Sequence, residues 1–329
     1  MQNNIKAMVM AAGMGSRLEP ITLMMPKPLI PVMNKPIMDI ILSQLKSFGI
    51  TDVISNTYYL SEQIIDRYQD NDLGINFNYI VEKELSGTAG GVKKCQFFFD
   101  EGEDFVIMSG DVLTNANILK GIEAHRKSGA VATIGIKQIP HENVSHFGVV
   151  VTDNNGFITE FQEKPSIEEA KSNFINTGIY IFNYKIFDYI PENTFYDFAK
   201  NVFPKLLAER EINTFEVDEY WNDIGTIDQY KQSVKDVFNG QCLVSGIEAE
   251  IFGNKSYICG NSELNDTLSI SGISVIGNNC KFGSNVKLED CIVFDNSEIH
   301  DGAELTDCII IPDSKLVRKS SEKRDVILV

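Results

Sequence analysis

Apolar and polar positions along this chain follow three rhythms in turn, and each predicts a different kind of element. From residue 6, short apolar runs alternate with stretches that repeat every three to four residues. The apolar run Ala7 to Ala12 reads as a buried strand, placed at Lys6–Met10, and Asp52–Asn56, Ile75–Val81, Asp104–Ser109 and Val131–Ile136 read as further strands. Between them lie helices. Pro36–Phe48 has proline at its start, apolar side chains at Ile37, Ile40, Ile41, Leu45 and Phe48, and Gly49 behind it. Ser61 is placed to cap a helix through Tyr68, Thr88–Phe98 follows a glycine loop, and Asn115–Ser128 ends at Gly129. Repeated β-α units of this length predict a parallel sheet with helices on both faces.

From Phe147 the rhythm becomes strict alternation. Gly148–Thr152 and Phe157–Phe161 flank Asp153-Asn154-Asn155-Gly156, a hairpin turn, and Ile175–Phe182 is one more strand. A β-rich insertion of this kind supplies a wall of a cleft. Helical patterns at Phe195–Glu209 and Thr226–Phe238 close the first domain. After about Gly240 aromatic residues thin out and apolar residues recur about every six, at Ile276, Phe282, Leu288 and Phe294, then, slipping by one, at Ile299 and Leu305. Such a period predicts a left-handed parallel β-helix with Cys280, Cys291 and Cys308 as small interior side chains. The expected domains are therefore 1–239 and 240–329.

Composition narrows the partners. The 329 residues are 43% hydrophobic and carry a formal charge of −17, which argues against a general nucleic-acid or anionic-membrane binder. No apolar run reaches membrane-spanning length, and the N-terminus lacks a basic-then-apolar leader pattern, so a soluble cytoplasmic protein is expected. Six scattered cysteines without a CxxC pair read as reduced, packed thiols. Residues 1–50 run against the overall charge, with Lys6, Arg17, Lys27, Lys35 and Lys46 against Glu19 and Asp39. The five cations of the tail (Lys315, Arg318, Lys319, Lys323 and Arg324) read as a solvated end.

That positive segment surrounds the loop Ala11-Ala12-Gly13-Met14-Gly15-Ser16-Arg17-Leu18. Two glycines after a buried strand let peptide N–H groups face an anion. A Walker A loop would need lysine and Ser/Thr after its last glycine, where Ser16-Arg17 stand. A dinucleotide fingerprint would need glycine or alanine where Leu18 stands. What remains is a phosphate loop with an arginine inside it and Lys27 ten residues on, in a segment stiffened by Pro26, Pro28 and Pro31. Arg17 can grip phosphate oxygens bidentately and Lys27 acts as a point charge, which suits charge building on an α-phosphate and a departing pyrophosphate.

These blocks resemble the signature of the sugar-1-phosphate nucleotidyltransferases, closest to the mannose-1-phosphate guanylyltransferase-like branch with a C-terminal hexapeptide-repeat domain. The resemblance is carried by the loop above with Pro26-Lys27-Pro28-Leu29, and by Gly87-Thr88-Ala89-Gly90, Ser109-Gly110-Asp111, Phe147-Gly148-Val149-Val150, Phe161-Gln162-Glu163-Lys164-Pro165, Asn176-Thr177-Gly178 and Tyr220-Trp221-Asn222-Asp223. It implies a Rossmann-like α/β domain with a mixed, mostly parallel sheet. It assigns catalysis to Arg17 and Lys27, the nucleotide to Ala11, Ala12, Gly13, Gly15, Gly87 and Thr88, the sugar phosphate to Gly148, Glu163, Lys164 and Asn176, and Mg²⁺ to Asp111 and Asp223. Leu85-Ser86 depart from a Pro-Leu pair in the guanylyltransferases, and Ser109 and Ser16 from asparagine and threonine.

The expected reaction joins an NTP, GTP first, to a sugar-1-phosphate, mannose-1-phosphate first, and releases pyrophosphate. The alternatives are a glucose-1-phosphate thymidylyl- or uridylyltransferase and a catalytically silent regulatory subunit that senses nucleotide sugars. Taken singly, Asp111 and Asp223 also suit caps or turns, and Glu163-Lys164 a surface ion pair. His300 reads as a turn residue. A homo-oligomer through the C-terminal domain is a further expectation.

Overall fold

The computed structural model describes residues 5–247, 250–252, 256–258, 262–312 and 323–328. Packing divides the chain into two units, residues 1–15, 26–28 and 41–223 in one and residues 16–25, 29–40 and 224–329 in the other.

The first unit is built on one sheet. Its strands, in chain order, are β1 (Lys6–Ala11), β2 (Asp52–Thr57), β3 (Asn76–Val81), β4 (Asp104–Ser109), β5 (Val112–Thr114), β6 (Ala132–Gln138), β7 (Gly148–Thr152), β8 (Ile158–Glu163), β9 (Phe174–Asn183), β10 (Ile212–Glu216) and β11 (Trp221–Asp223). β1 lies between β2 and β4, and β2 pairs β3, all parallel. The long β9 then runs antiparallel to β4, β6 and β7 and makes the sheet mixed. β5 and β11 form a separate antiparallel ribbon. Fully buried aliphatics on the central strands (Met8, Ile54, Ile107) pack with a dense aromatic group that includes Phe105, Phe182, Phe187 and Phe198. Apolar runs on these strands are the pattern of strands covered on both faces.

The helices are α1 (Ile37–Ser47), α2 (Ser61–Tyr68), α3 (Gly87–Lys94), α4 (Ile118–Ser128), α5 (Phe203–Glu209) and α6 (Ile227–Phe238). Three differ from expectation for identifiable reasons. Ser61 is the first helical residue of α2, and the cap is Leu60 in the left-handed region with no side-chain bond. α3 stops at Lys94 and continues only as a 3₁₀ turn, Gln96–Phe98. The pattern at Phe195–Glu209 is helical only from Phe198, first as a π turn, Phe198–Val202, and then as α5. Its first residues are held out of the helix because the Tyr196 backbone bonds elsewhere: its N–H donates to Ser86 O at 2.8 Å, and its carbonyl accepts from Ala89 and Gly90.

In the second unit short parallel strands stack as the coils of a β-helix. Lys281 pairs with Glu298, Leu288 with Leu305 and Ile292 with Ile309, each 17 residues on. Three six-residue sides minus one residue give that step, which accounts for the slip in the hexapeptide rhythm. Cys280, Cys291 and Cys308 are buried inside the coils, and the cysteines of the described residues are free thiols. The Cys291 thiol is pushed up by its bond with Cys308 and by burial. Lys315, Arg318 and Lys319 of the cationic tail lie outside the described residues, while Lys323 and Arg324 open a final strand. The division expected at residue 239 does not coincide with the packing division, since α6 and residues 16–25 and 29–40 group with the coils. Among the described residues no helix is long and apolar enough to cross a membrane.

Candidate active site

In a parallel sheet the carboxyl ends of the strands are where loops open and ligands bind. Here the ends of β1, β2, β3 and β4 surround a cavity of about 360 Å³ within the first unit. β1 delivers Ala11, Ala12 and Gly13 to it, β2 delivers Asn56, β3 is followed by Glu82, and β4 is followed by Gly110 and Asp111. A second hollow, about 430 Å³, lies at the amino end of β4. There Asp104 is bonded to Arg126 and His125, and none of the expected site residues lines it, whereas the glycine loop, Lys27 and Asp111 all line the smaller cavity.

The glycine loop enters the cavity with Ala11 N–H bonded to Asn56 Oδ1 at 3.3 Å. Gly15 has φ +65°, a conformation glycine adopts without steric cost. Arg17 is exposed on a short 3₁₀ turn, Ser16–Leu18, and belongs to the second unit. Lys27 starts another such turn, Lys27–Leu29, and is buried at 8% exposure. Its ammonium forms an ion pair with Asp111, whose other oxygen accepts from the Ser109 hydroxyl. Burial pushes the Asp111 carboxyl up, but Lys27 and the Ser109 hydroxyl outweigh it and hold the pKa below the usual carboxylate value. Asp111 is therefore a charged acceptor on the cavity wall, held by the lysine of the phosphate segment.

Asp223 arrives by register. β11 pairs Asp223 with Val112, the residue after Asp111, so the two aspartates come from adjacent positions of one ribbon. Among the described residues no group of three or more His, Cys, Asp or Glu side chains gathers. Two carboxylates at neighbouring ribbon positions would suit Mg²⁺, an ion that takes one or two carboxylates and fills its other positions with phosphate oxygens and water.

The residues expected to hold the sugar phosphate form a connected set. Glu163 ends β8, and Lys164 has φ +48°, which breaks the strand alternation that would send the two side chains to opposite faces. Lys164 N–H bonds Phe147 O at 3.1 Å, and Gly148 leaves room for the Phe161 ring, which a Cβ there would meet at 2.6 Å. The Phe147 ring meets Trp221 edge-on at 5.6 Å, and Trp221 Nε1 donates to Thr177 O at 2.9 Å. Thr177 lies in a register break of β9 between Asn176 and Tyr180, where Asn176 Nδ2 donates to the Tyr180 hydroxyl at 3.0 Å. Gly178, in the same break, lies against Ser109. Segments far apart in the chain are so linked to the Ser109–Asp111 corner through ring contacts and backbone bonds.

The far end of the cavity is made by Ser86, Gly87 and Thr88 with Phe195 and Asp197. Gly87 has φ +77°, and a Cβ on it would meet Tyr196 O at 2.4 Å. Thr88 Oγ1 donates to Asp197 Oδ2 at 2.9 Å and accepts from Phe198 N–H. Glu82 is buried, taking Asn56 Nδ2 on one oxygen and Ser86 Oγ and Lys94 Nζ on the other. Asn56, Glu82, Phe195 and Asp197 were not among the expected site residues. The first two had a signal, since each stands at or just after the carboxyl end of a parallel strand. The last two had none, because only a fold contact brings their segment to Ser86.

The nucleotidyl transferase family profile matches residues 6–239. A UTP–glucose-1-phosphate uridylyltransferase of Synechocystis is 37% identical, over 91% of this chain and 85% of its own length. A mannose-1-phosphate guanyltransferase of Schizosaccharomyces pombe is 31% identical, over 93% of this chain and 85% of its own. The crystal structure of a Bacillus anthracis protein assigned as a glucose-1-phosphate thymidylyltransferase superposes with a TM-score of 0.63 at 26% identity, covering 70% of this chain and 94% of that one.

Proposed function

The chain belongs to the nucleotidyl transferase family, and from that premise we propose that it joins an NTP to a sugar-1-phosphate and releases pyrophosphate, with UTP and glucose-1-phosphate as its preferred pair. The observation that carries the reaction is the cavity at the carboxyl ends of four parallel strands, with the glycine loop and the Lys27–Asp111 ion pair on its wall. The substrate pair rests on the 37% identity to the uridylyltransferase. GTP with mannose-1-phosphate, the first expectation from sequence, is supported at lower identity.

In the proposed chemistry a phosphate oxygen of the sugar-1-phosphate forms a bond to the α-phosphorus of the NTP. The bond from that phosphorus to the bridging oxygen breaks, and its electron pair leaves with pyrophosphate. The attacking oxygen is already anionic, so no general base is required. What the protein contributes is alignment and neutralisation of charge. Lys27 carries a buried positive charge to the phosphates, and Arg17, two residues beyond Gly15 in the chain, is proposed as the second cation. Glu163, Lys164, Asn176 and the Gly148 backbone are proposed to hold the sugar phosphate, and the loop from Ala11 to Gly15 with Gly87 and Thr88 to hold the nucleotide. Asp111 and Asp223 would hold Mg²⁺, which when bound screens the charge of the phosphates.

A matrix of four NTPs against glucose-, mannose- and other sugar-1-phosphates, scored by pyrophosphate release, tests this. The highest kcat/KM is expected for UTP with glucose-1-phosphate. A preference for GTP with mannose-1-phosphate would replace the pair and leave the reaction standing. No release with any pair would overturn the reaction and favour the silent regulatory subunit.

A further inference from the structure

The two ends of the cavity differ in what they can offer a ligand. One end presents Lys27 and the glycine loop, which suit phosphates, beside Ser109 and Asp111. At the other end the polar side chains are already engaged with one another. The oxygens of Glu82 are taken by Asn56, Ser86 and Lys94, and Thr88 is bonded to Asp197 and Phe198. What faces the cavity freely there is apolar: Phe195, 68% exposed, and Leu85, 40% exposed.

Phe195 stands out against its neighbours. Tyr196 is half-buried and Phe198 is buried in the aromatic core, yet Phe195 holds its ring in the open. Its position is nonetheless fixed, because the Tyr196 backbone is bonded on both sides to Ser86, Ala89 and Gly90. Leaving a phenyl ring in water forgoes the burial that its neighbours gain, and a ring so placed at the mouth of a cavity is ready to be covered by a flat ligand.

We propose that Phe195 is the stacking platform for the nucleobase of the NTP, with Leu85 as a second apolar contact. The proposal rests on the nucleotidyl-transfer reading of the same cavity and adds to it a residue that neither the glycine loop nor the metal pair implies. Every base has a π-face, so stacking grips the nucleotide without choosing its base. Removal of the ring therefore weakens each accepted NTP to a similar degree, where loss of a base-reading hydrogen bond would weaken one more than another.

Steady-state kinetics of Phe195→Ala and Phe195→Tyr tests it, with Phe195→Trp as a binding reporter. Phe195→Ala is expected to raise KM for every accepted NTP about tenfold, within the range for loss of one base–aromatic stack. Its kcat and its KM for the sugar-1-phosphate stay near those of the unmodified enzyme, and Phe195→Tyr, which keeps the ring, restores the NTP KM. In Phe195→Trp, nucleoside triphosphates quench the new indole and inorganic triphosphate does not, after subtraction of the signal of the native Trp221. An unchanged NTP KM in an active Phe195→Ala enzyme overturns the platform, as does equal quenching by inorganic triphosphate. If the chain releases no pyrophosphate with any pair, the reaction reading falls. The quenching experiment then decides the platform alone.

Discussion

Lys27 and Asp111 illustrate how one residue sets the state of another. The ammonium keeps a half-buried carboxylate charged, and both then face the same cavity. Lys27→Ala removes a charge aimed at the phosphates and is expected to lower kcat by about 10²-fold or more, the scale for one oriented transition-state contact. Arg17→Ala is expected to do the same, and near-normal pyrophosphate release by either purified variant would remove that residue from the mechanism. A second carboxylate serves stability. Asp104 has its pKa lowered to about 2, chiefly by the His125 hydrogen bond, with Asn183 and Arg126 adding to it against burial. A depressed carboxylate stabilises the fold above its unfolded pKa and loses that contribution as pH falls through the folded one. Asp104→Asn is therefore expected to cost about 2 kcal/mol at pH 7. That difference from the native chain should shrink towards zero near pH 2, as urea titrations across the range would reveal.

At the scale of elements, corners decide where side chains point. Lys164 is adjacent to Glu163 on a predicted strand, and its left-handed backbone breaks the alternation that would set the two side chains on opposite faces. In the β-helix, Asn279, Asn285, Asp290, Asn296 and Asp307 all have positive φ, and they turn the coils where glycine does so at Gly272 and Gly302. Asparagine and aspartate tolerate that region better than other side chains. Asn296→Ala is expected to destabilise the coils by about 1 kcal/mol, with Asn296→Gly near neutral, because alanine keeps a Cβ in the left-handed region without the local polar bonding that eases it for asparagine, whereas glycine removes the Cβ. Thermal unfolding of both variants checks this, and equal losses would show that the side-chain contact rather than the backbone matters. Asn279 Nδ2 does reach Asn296 Oδ1, at 3.4 Å, so the comparison is informative.

At the scale of the whole molecule, the family profile and the packing divide the chain differently. The profile ends at residue 239, beyond α6, whereas α6 packs with the coils in the second unit. There the fully buried Tyr230 donates to Pro31 O at 2.6 Å and meets Phe294 edge-on at 6.2 Å, and Lys231 pairs with Asp307. A fragment ending at residue 239 would keep Pro31 but strip Phe294 and Asp307, and so bare the Tyr230 ring. It is expected to melt at a lower temperature than the full chain and to aggregate. A fragment with the melting temperature of the full chain would show that α6 needs no coil.

Much of this was legible in the sequence because it rests on local rules. Apolar runs of strand length ended by glycines placed β1 and β4, so Gly13, Lys27 and Asp111 could be named before any fold was known. The six-residue rhythm predicted stacked coils, since each coil must bury its aliphatic row on the next. The DNNG turn fixed the β7–β8 hairpin by its backbone requirement. Only the tertiary structure decided the rest. A ribbon register sets Asp223 opposite Val112, next to Asp111, and Trp221 ties the Glu163 corner to the Asn176 break. Phe195 leaves the predicted helix because Tyr196 spends its backbone bonds on Ser86, Ala89 and Gly90. Periodicity records what a residue owes its own element. It carries no trace of a bond to a segment a hundred residues away, and such bonds bring the far end of the cavity together.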